Sequence, residues 1–149
     1  MFEDFRQSDI ETDGAVIHAL IGGKGPPLLL LHGYPQTHVM WHKIALRLAE
    51  EFTVVATDLR GYGDSSKPNT TPDHAPYSFR AMASDQVQVM QQLGFEEFAV
   101  AGHDRGARTA HRMALDHQAS ITRLALLDIV PTLTLYETAD QKVATSYYH

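Results

Sequence analysis

The stretch Phe98-Ala99-Val100-Ala101-Gly102-His103-Asp104-Arg105-Gly106-Ala107 decides the fold. It begins as a short apolar run and ends in a Gly-x-Asp-x-Gly pattern. Beyond it, Ala107, Ala110, Met113 and Ala114 recur at helical spacing over 105–117. This is how a buried strand that turns sharply into a helix reads. The glycines are required because the turn is strained and neighbouring backbone passes close to it. Asp104 then stands at a helix N-terminus, where free N–H groups and the helix dipole favour negative charge. Either it is an ionised carboxylate offered to a ligand, or it simply caps the helix.

Working outward, Leu28–Leu31, Phe52–Thr57 and Arg123–Leu127 read like Phe98–Gly102, as strands buried on both faces. Helical periodicity fills the gaps. Met40, Ile44 and Leu48 mark a helix over 38–50, and Ala83, Val87 and Met90 mark another over 79–93. Strands alternating with helices predict an α/β fold with a mostly parallel sheet and flanking helices. The strands end in His32-Gly33, Asp58, Gly102-His103-Asp104 and Asp128, so polar residues gather at the end of the sheet where such folds bind ligands. Ala15–Ile21 is a short apolar stretch running into a Gly/Pro turn cluster at 22–27. Residues 61–78 form a loop long enough to be functional or flexible. The pattern changes after Asp128, and 132–149 starts a new helical segment.

The chemistry follows from residue types. Where hydrolytic elbows commonly carry Ser, this one carries Asp. A carboxylate attacks saturated carbon by displacement and forms an ester, which water must then hydrolyse with the help of a base. Carbon–halogen or epoxide C–O bonds are therefore the expected targets. Leu31-His32-Gly33-Tyr34-Pro35 supplies a tight turn. The N–H of Tyr34, with that of Arg105, is placed to form an oxyanion hole. Arg105 and Arg108 lie three apart on one helical face and suit a small anionic substrate, because guanidinium binds carboxylate with a planar fork. Arg112 reads as part of a solvated face. Asp128, at a strand end, is the expected acid that orients a catalytic histidine.

Other classes are disfavoured. The 149 residues carry a net charge of −6, which argues against nucleic acid as a partner. There is no cysteine, which removes thiolate metal sites and thiol nucleophiles. No leader or membrane-spanning run is visible, so a soluble, cytoplasmic protein is expected. Gly61-Tyr62-Gly63 and Gly22-Gly23-Lys24-Gly25 are neither a dinucleotide fingerprint nor a phosphate loop. His38 and His42 are spaced four apart on a predicted helix, but no third ligand is evident. No metal and no cofactor are expected.

The segments HGYPQTHVMWHK (32–43), DLRGYGDSSKP (58–68), DHAPYSFRAMASDQ (73–86) and above all AGHDRGARTAHRMALDH (101–117) resemble the fluoroacetate dehalogenases, bacterial haloacetate hydrolases of the α/β-hydrolase fold. The resemblance implies that Asp104 is the nucleophile and that Arg105 and Arg108 hold the substrate carboxylate. It implies that Asp128 is the acid orienting the base, and that the backbone N–H groups of Tyr34 and Arg105 stabilise the hydrolysis intermediate. His149 matches a cap-domain histidine that helps bind the departing halide. Residues 1–130 would form the N-terminal part of the core and 131–149 the start of a helical cap. A homodimer is implied too. The family's catalytic histidine, and the Trp and Tyr completing its halide site, lie beyond the matched region. This sequence is therefore expected to be the first part of a longer polypeptide, truncated before the cap and last strands and inactive alone. The rival activities are epoxide hydrolase and haloalkane dehalogenase, whose families usually carry Trp after the nucleophile. A rival of another class is an incomplete segment that only binds small carboxylates.

Overall fold

The computed structural model describes residues 1–146. Its strands are β1 (Arg6–Glu11), β2 (Val16–Gly22), β3 (Pro27–Leu31), β4 (Thr53–Thr57), β5 (Phe98–His103) and β6 (Ile121–Leu127). Its helices are α1 (His42–Leu48), α2 (Phe79–Gln92), α3 (Arg105–Asp116), α4 (Thr132–Thr138) and α5 (Gln141–Ser146), with 3-10 turns at His38–Trp41, Ala75–Tyr77 and Gln118–Ser120. The strands form one six-stranded sheet in the order β1-β2-β4-β3-β5-β6. β4, β3, β5 and β6 run parallel to one another, whereas β1 pairs antiparallel with β2, and β2 with β4.

The pleat explains the layers. Leu28 and Leu30 point to one face and pack with Trp41, Ala45, Val54 and Ala56 beneath α1. Leu29 and Leu31 point to the other face, against Val55, Met82, Ala83, Met90, Val100, Ala110 and Met113 beneath α2 and α3. Each fully buried leucine contributes about 1.5–3 kcal/mol of hydrophobic stabilisation. Ser78 begins α2 by accepting a hydrogen bond from the Ala81 N–H (3.2 Å), the side-chain cap that a helix start needs.

Three expectations need correction. First, the β1–β2 hairpin precedes the first predicted strand. β1 escapes the apolar-run criterion because Arg6-Gln7-Ser8-Asp9 is polar, at a sheet edge with most of its side chains outside the core. Second, the segment 38–50 opens as a 3-10 turn, and the α-helix begins only at His42. Third, β6 is not buried on both faces. It pairs with β5 alone among the described residues, and Leu124, Leu126 and Leu127 are each 40–43% exposed. Its apolar sequence marks a surface suited to burial that α3 covers only in part.

A buried ion pair ties the loop after β4 to α2. Arg60 Nε and Nη2 donate to the two oxygens of Asp85, each at 2.6 Å. Arg60 Nη1 donates to the Pro76 carbonyl (2.7 Å), and the Thr12 hydroxyl adds a bond to Asp85 (2.6 Å). The long loop is thus pinned near both of its ends, at Arg60 and Pro76. Among the described residues, no helix is long and apolar enough to cross a membrane, and no group of three or more His, Asp or Glu residues is placed to hold a metal ion.

Candidate active site

The link from β5 to α3 is a strained elbow. Asp104 has φ 51° and ψ −114°, a conformation that L-residues rarely adopt. The two flanking glycines are there for space. A Cβ on Gly102 would lie 2.4 Å from the Gly106 carbonyl oxygen, and one on Gly106 would lie 2.4 Å from that of Leu31. A Cβ on Gly33 would come within 2.7 Å of Asp104 Cβ. The elbow, α3 and the turn after β3 are therefore in direct backbone contact. The elbow is also tied to β6, since the Asp104 N–H donates to the Leu127 carbonyl (3.1 Å).

The capping alternative does not describe Asp104. Its side chain makes no capping hydrogen bond to α3. Its Oδ1 instead accepts the Tyr34 N–H at 2.9 Å. One carboxylate oxygen is thus oriented by a backbone donor. A backbone N–H so placed can stabilise negative charge on that oxygen.

The arginines take different neighbours. The Arg105 guanidinium lies over the Tyr34 ring, 5.7 Å from its centroid. Tyr62 stands close to the same group. Burial raises its phenol pKa; the Arg105 charge opposes that rise, and Asp104 and Tyr34 add to it. Arg108 donates from Nη1 to the Thr132 hydroxyl at the start of α4 (2.6 Å). Arg112 is paired with Asp116 along the helix, in keeping with a structural surface role. Arg105 thus directly follows Asp104, and Arg108 is held by the segment that follows β6.

Asp128 follows β6 with φ 52°. Its side chain is 90% exposed, and the His103 ring nitrogen Nε2 is 3.6 Å from its Oδ2. Among the described residues no other histidine reaches it. His149 lies outside the described residues.

Several residues at the site carried no distinctive signal in the sequence. Asp58 and His32 look like ordinary strand-end residues. Yet both are fully buried and engaged with the turn that carries Tyr34. Asp58 accepts the His38 N–H (2.7 Å), the His38 ring (2.9 Å) and the Asp64 N–H (2.9 Å). Burial pushes its pKa up, but the two bonds from His38 and the one from Asp64 outweigh this and hold it at about 2. Burial lowers the pKa of His32, opposed by its bond to Gly33 and by Asp58. Thr132 is likewise silent in the sequence, because a hydroxyl at a helix start has many uses.

Residues 26–149 match the family profile of the alpha/beta hydrolase fold. The chain belongs to the α/β hydrolase family. Over 149 residues this hydrolase-family chain is 56% identical to a fluoroacetate dehalogenase from Burkholderia sp, covering 100% of the chain and 49% of the relative. It is 42% identical over 121 residues to a soluble epoxide hydrolase from Corynebacterium sp. (strain C12), covering 81% of the chain and 41% of the relative. A crystal structure from Nostoc sp PCC 7120, provisionally assigned to the alpha/beta hydrolases, superposes with a TM-score of 0.97 at 63% identity. The match covers 100% of this α/β hydrolase chain and 51% of that one. The chain spans about half the length of the curated relatives it matches.

Proposed function

We propose that the protein hydrolyses the carbon–halogen bond of small 2-haloacids, turning fluoroacetate into glycolate and fluoride through an ester of Asp104. The observation that carries this reading is the elbow carboxylate. It is strained, excused from capping its helix, held at one oxygen by the Tyr34 N–H, and followed directly by Arg105. Identity to a relative named fluoroacetate dehalogenase supports it.

The reaction proceeds in two steps. Asp104 Oδ2 attacks the α-carbon from the side opposite the halogen, the carbon–halogen bond breaks, and halide leaves with the bonding pair. Arg105 and Arg108 hold the substrate carboxylate by charge-assisted hydrogen bonds. Water then attacks the ester carbonyl carbon of Asp104 and gives a proton to a base. Negative charge collects on Oδ1, where the N–H groups of Tyr34 and Arg105 stabilise it. Collapse expels glycolate and restores the carboxylate, one oxygen of which now comes from water.

Asp128 is assigned as the acid that orients the base, and His149 as a donor to the departing halide. The base itself is assigned to the part of the relatives that this chain does not span. Residues 1–130 form the N-terminal part of the core in this reading, and α4 and α5 begin a cap. The 149-residue segment alone then forms the ester without turning it over. A homodimer in the bacterial cytoplasm completes the reading.

Epoxide opening is the second reading, favoured by 42% identity to a relative named soluble epoxide hydrolase. Arg105 separates the two, because a guanidinium beside the nucleophile suits an anionic haloacid better than a neutral epoxide. A substrate panel decides between them. Halide release from fluoroacetate, with neutral haloalkanes and epoxides left untouched, supports the dehalogenase. Epoxide turnover without halide release refutes it.

A further inference from the structure

We infer that Asp58 is a positioning residue that fixes the Tyr34 N–H on the nucleophile, by gripping the far end of the turn that carries it while its neighbour Leu59 holds the near end through His32. The inference rests on the assignment of Asp104 as nucleophile.

Tyr34 lies in the turn 33–37 and is 50% exposed. The backbone bond within the turn runs from the Gln36 N–H to the Gly33 carbonyl (2.9 Å). A donor on an exposed turn needs external anchors if it is to point at one carboxylate oxygen. The structure provides two, and both come from the dipeptide Asp58-Leu59 at the end of β4.

The first anchor is at the start of the turn. The Leu59 N–H donates to His32 Nε2 at 3.0 Å, so Nε2 is an acceptor and the ring proton sits on Nδ1. That Nδ1–H donates to the Gly33 carbonyl at 2.8 Å. His32 is fully buried, with the Tyr62 ring edge-on against it at a centroid distance of 5.0 Å. The second anchor is at the end of the turn. Asp58 Oδ1 takes both the backbone N–H and the ring Nδ1–H of His38. Its other oxygen takes the Asp64 N–H, in a niche where a Cβ on Gly63 would lie 2.0 Å from it.

Asp58 is itself fully buried, so its charge is tolerated only because these donors satisfy it. Asp58 touches neither Asp104 nor the space in front of it. Its effect passes through His38 and the turn to a single donor. Donors of this kind act only when aimed within roughly half an ångström of where charge develops.

That charge develops on Asp104 Oδ1 in ester hydrolysis rather than in halide displacement. Loss of the anchor therefore slows the second step selectively. Asp58→Asn keeps the side-chain shape but replaces one acceptor oxygen with an amide donor that faces the His38 or Asp64 N–H. In the full-length enzyme with fluoroacetate, rapid-quench measurement is expected to show a halide burst close to one equivalent per site. Ester hydrolysis should slow by about 10²-fold, and KM should fall together with kcat. Equal slowing of both steps with unchanged KM, or no change at all, overturns the inference. His38→Gln keeps the backbone donor and loses the ring bond. It is expected to show the same pattern more weakly, and it keeps the inference open to refutation if Asp58→Asn does not fold.

A second readout does not depend on turnover. The Tyr34 amide proton resonance in the parent is expected downfield and to respond to Asp104→Asn; in Asp58→Asn it should move upfield and lose that response. An unchanged Tyr34 resonance in Asp58→Asn overturns the inference. If the parent releases no halide while the Tyr34 resonance behaves as described, the dehalogenase reading fails and the positioning role stands.

Discussion

Gly106→Ala tests whether the elbow is built on backbone contact. Gly106 is the second residue of α3, and its φ is not among the positive ones. On helix propensity alone, alanine there should stabilise the protein by about 1 kcal/mol. The structure reverses the sign. The new Cβ would meet the Leu31 carbonyl oxygen at 2.4 Å and the His32 carbonyl oxygen at 2.5 Å. Relief to an ordinary 3.4 Å contact requires α3 and the end of β3 to part by roughly 1 Å. Neither neighbour is a flexible side chain. Overpacking of this kind costs about 1–3 kcal/mol, so after the propensity gain a net loss of up to about 2 kcal/mol is expected. A misplacement of about 1 Å at the nucleophile also lowers activity by roughly 10²-fold. Urea unfolding followed by circular dichroism measures the first effect, and halide release by the full-length enzyme measures the second. A Gly106→Ala protein as stable as the parent, or more so, with unimpaired halide release, would refute the elbow geometry.

Three further outcomes are expected. Thr132→Val removes the acceptor that holds Arg108 (2.6 Å). It should raise KM for fluoroacetate roughly fivefold, the equivalent of about 1 kcal/mol, with kcat little changed and Thr132→Ser restoring the parent value; an unchanged KM removes Thr132 from the site. Arg60→Met strands the Asp85 charge in the interior and should cost about 3–5 kcal/mol in chemical denaturation, whereas Arg60→Met combined with Asp85→Leu should recover most of it. Asp58 is held at a pKa of about 2, against 3.8 for an unperturbed carboxyl. Because its folded pKa is the lower one, its stabilising contribution is complete above about pH 4 and is lost as pH falls toward about 2. Acid unfolding should therefore be shallower over that window in Asp58→Asn, and a parallel acid transition would contradict the assignment.

Much of this architecture is legible from residue order. Leu28–Leu31 and Phe98–Gly102 announce themselves because a strand covered on both faces needs no polar alternation. Gly102 and Gly106 bracket Asp104 because backbone would otherwise collide. The pattern fails where burial and apolarity part company. β1 is polar because it lies at the sheet edge, so its pairing with β2 leaves no apolar signature. β6 is apolar yet exposed, so sequence alone overstates its burial. The site divides in the same way. Asp104 and the Tyr34 donor come from short local motifs, and the structure places them 2.9 Å apart. Asp58, His32 and Thr132 reach His38, Leu59 and Arg108 across 20 to 27 positions through hydrogen bonds to common residue types, and no local pattern records such contacts. Arg105 and Arg108 share a helical face by spacing. Which neighbours they choose, the Tyr34 ring and Thr132, is set by the tertiary fold.

The central claim is that Asp104 becomes esterified by substrate. The most direct measurement is peptide mass spectrometry of the protein after incubation with fluoroacetate, with released fluoride measured in the same sample. Within a first turnover quenched before the ester hydrolyses, one carboxymethyl group is expected on the peptide bearing Asp104, with one fluoride released for each group attached, and neither in Asp104→Asn. Fluoride release with an unmodified Asp104 peptide under rapid quench, or the same adduct in Asp104→Asn, would contradict it.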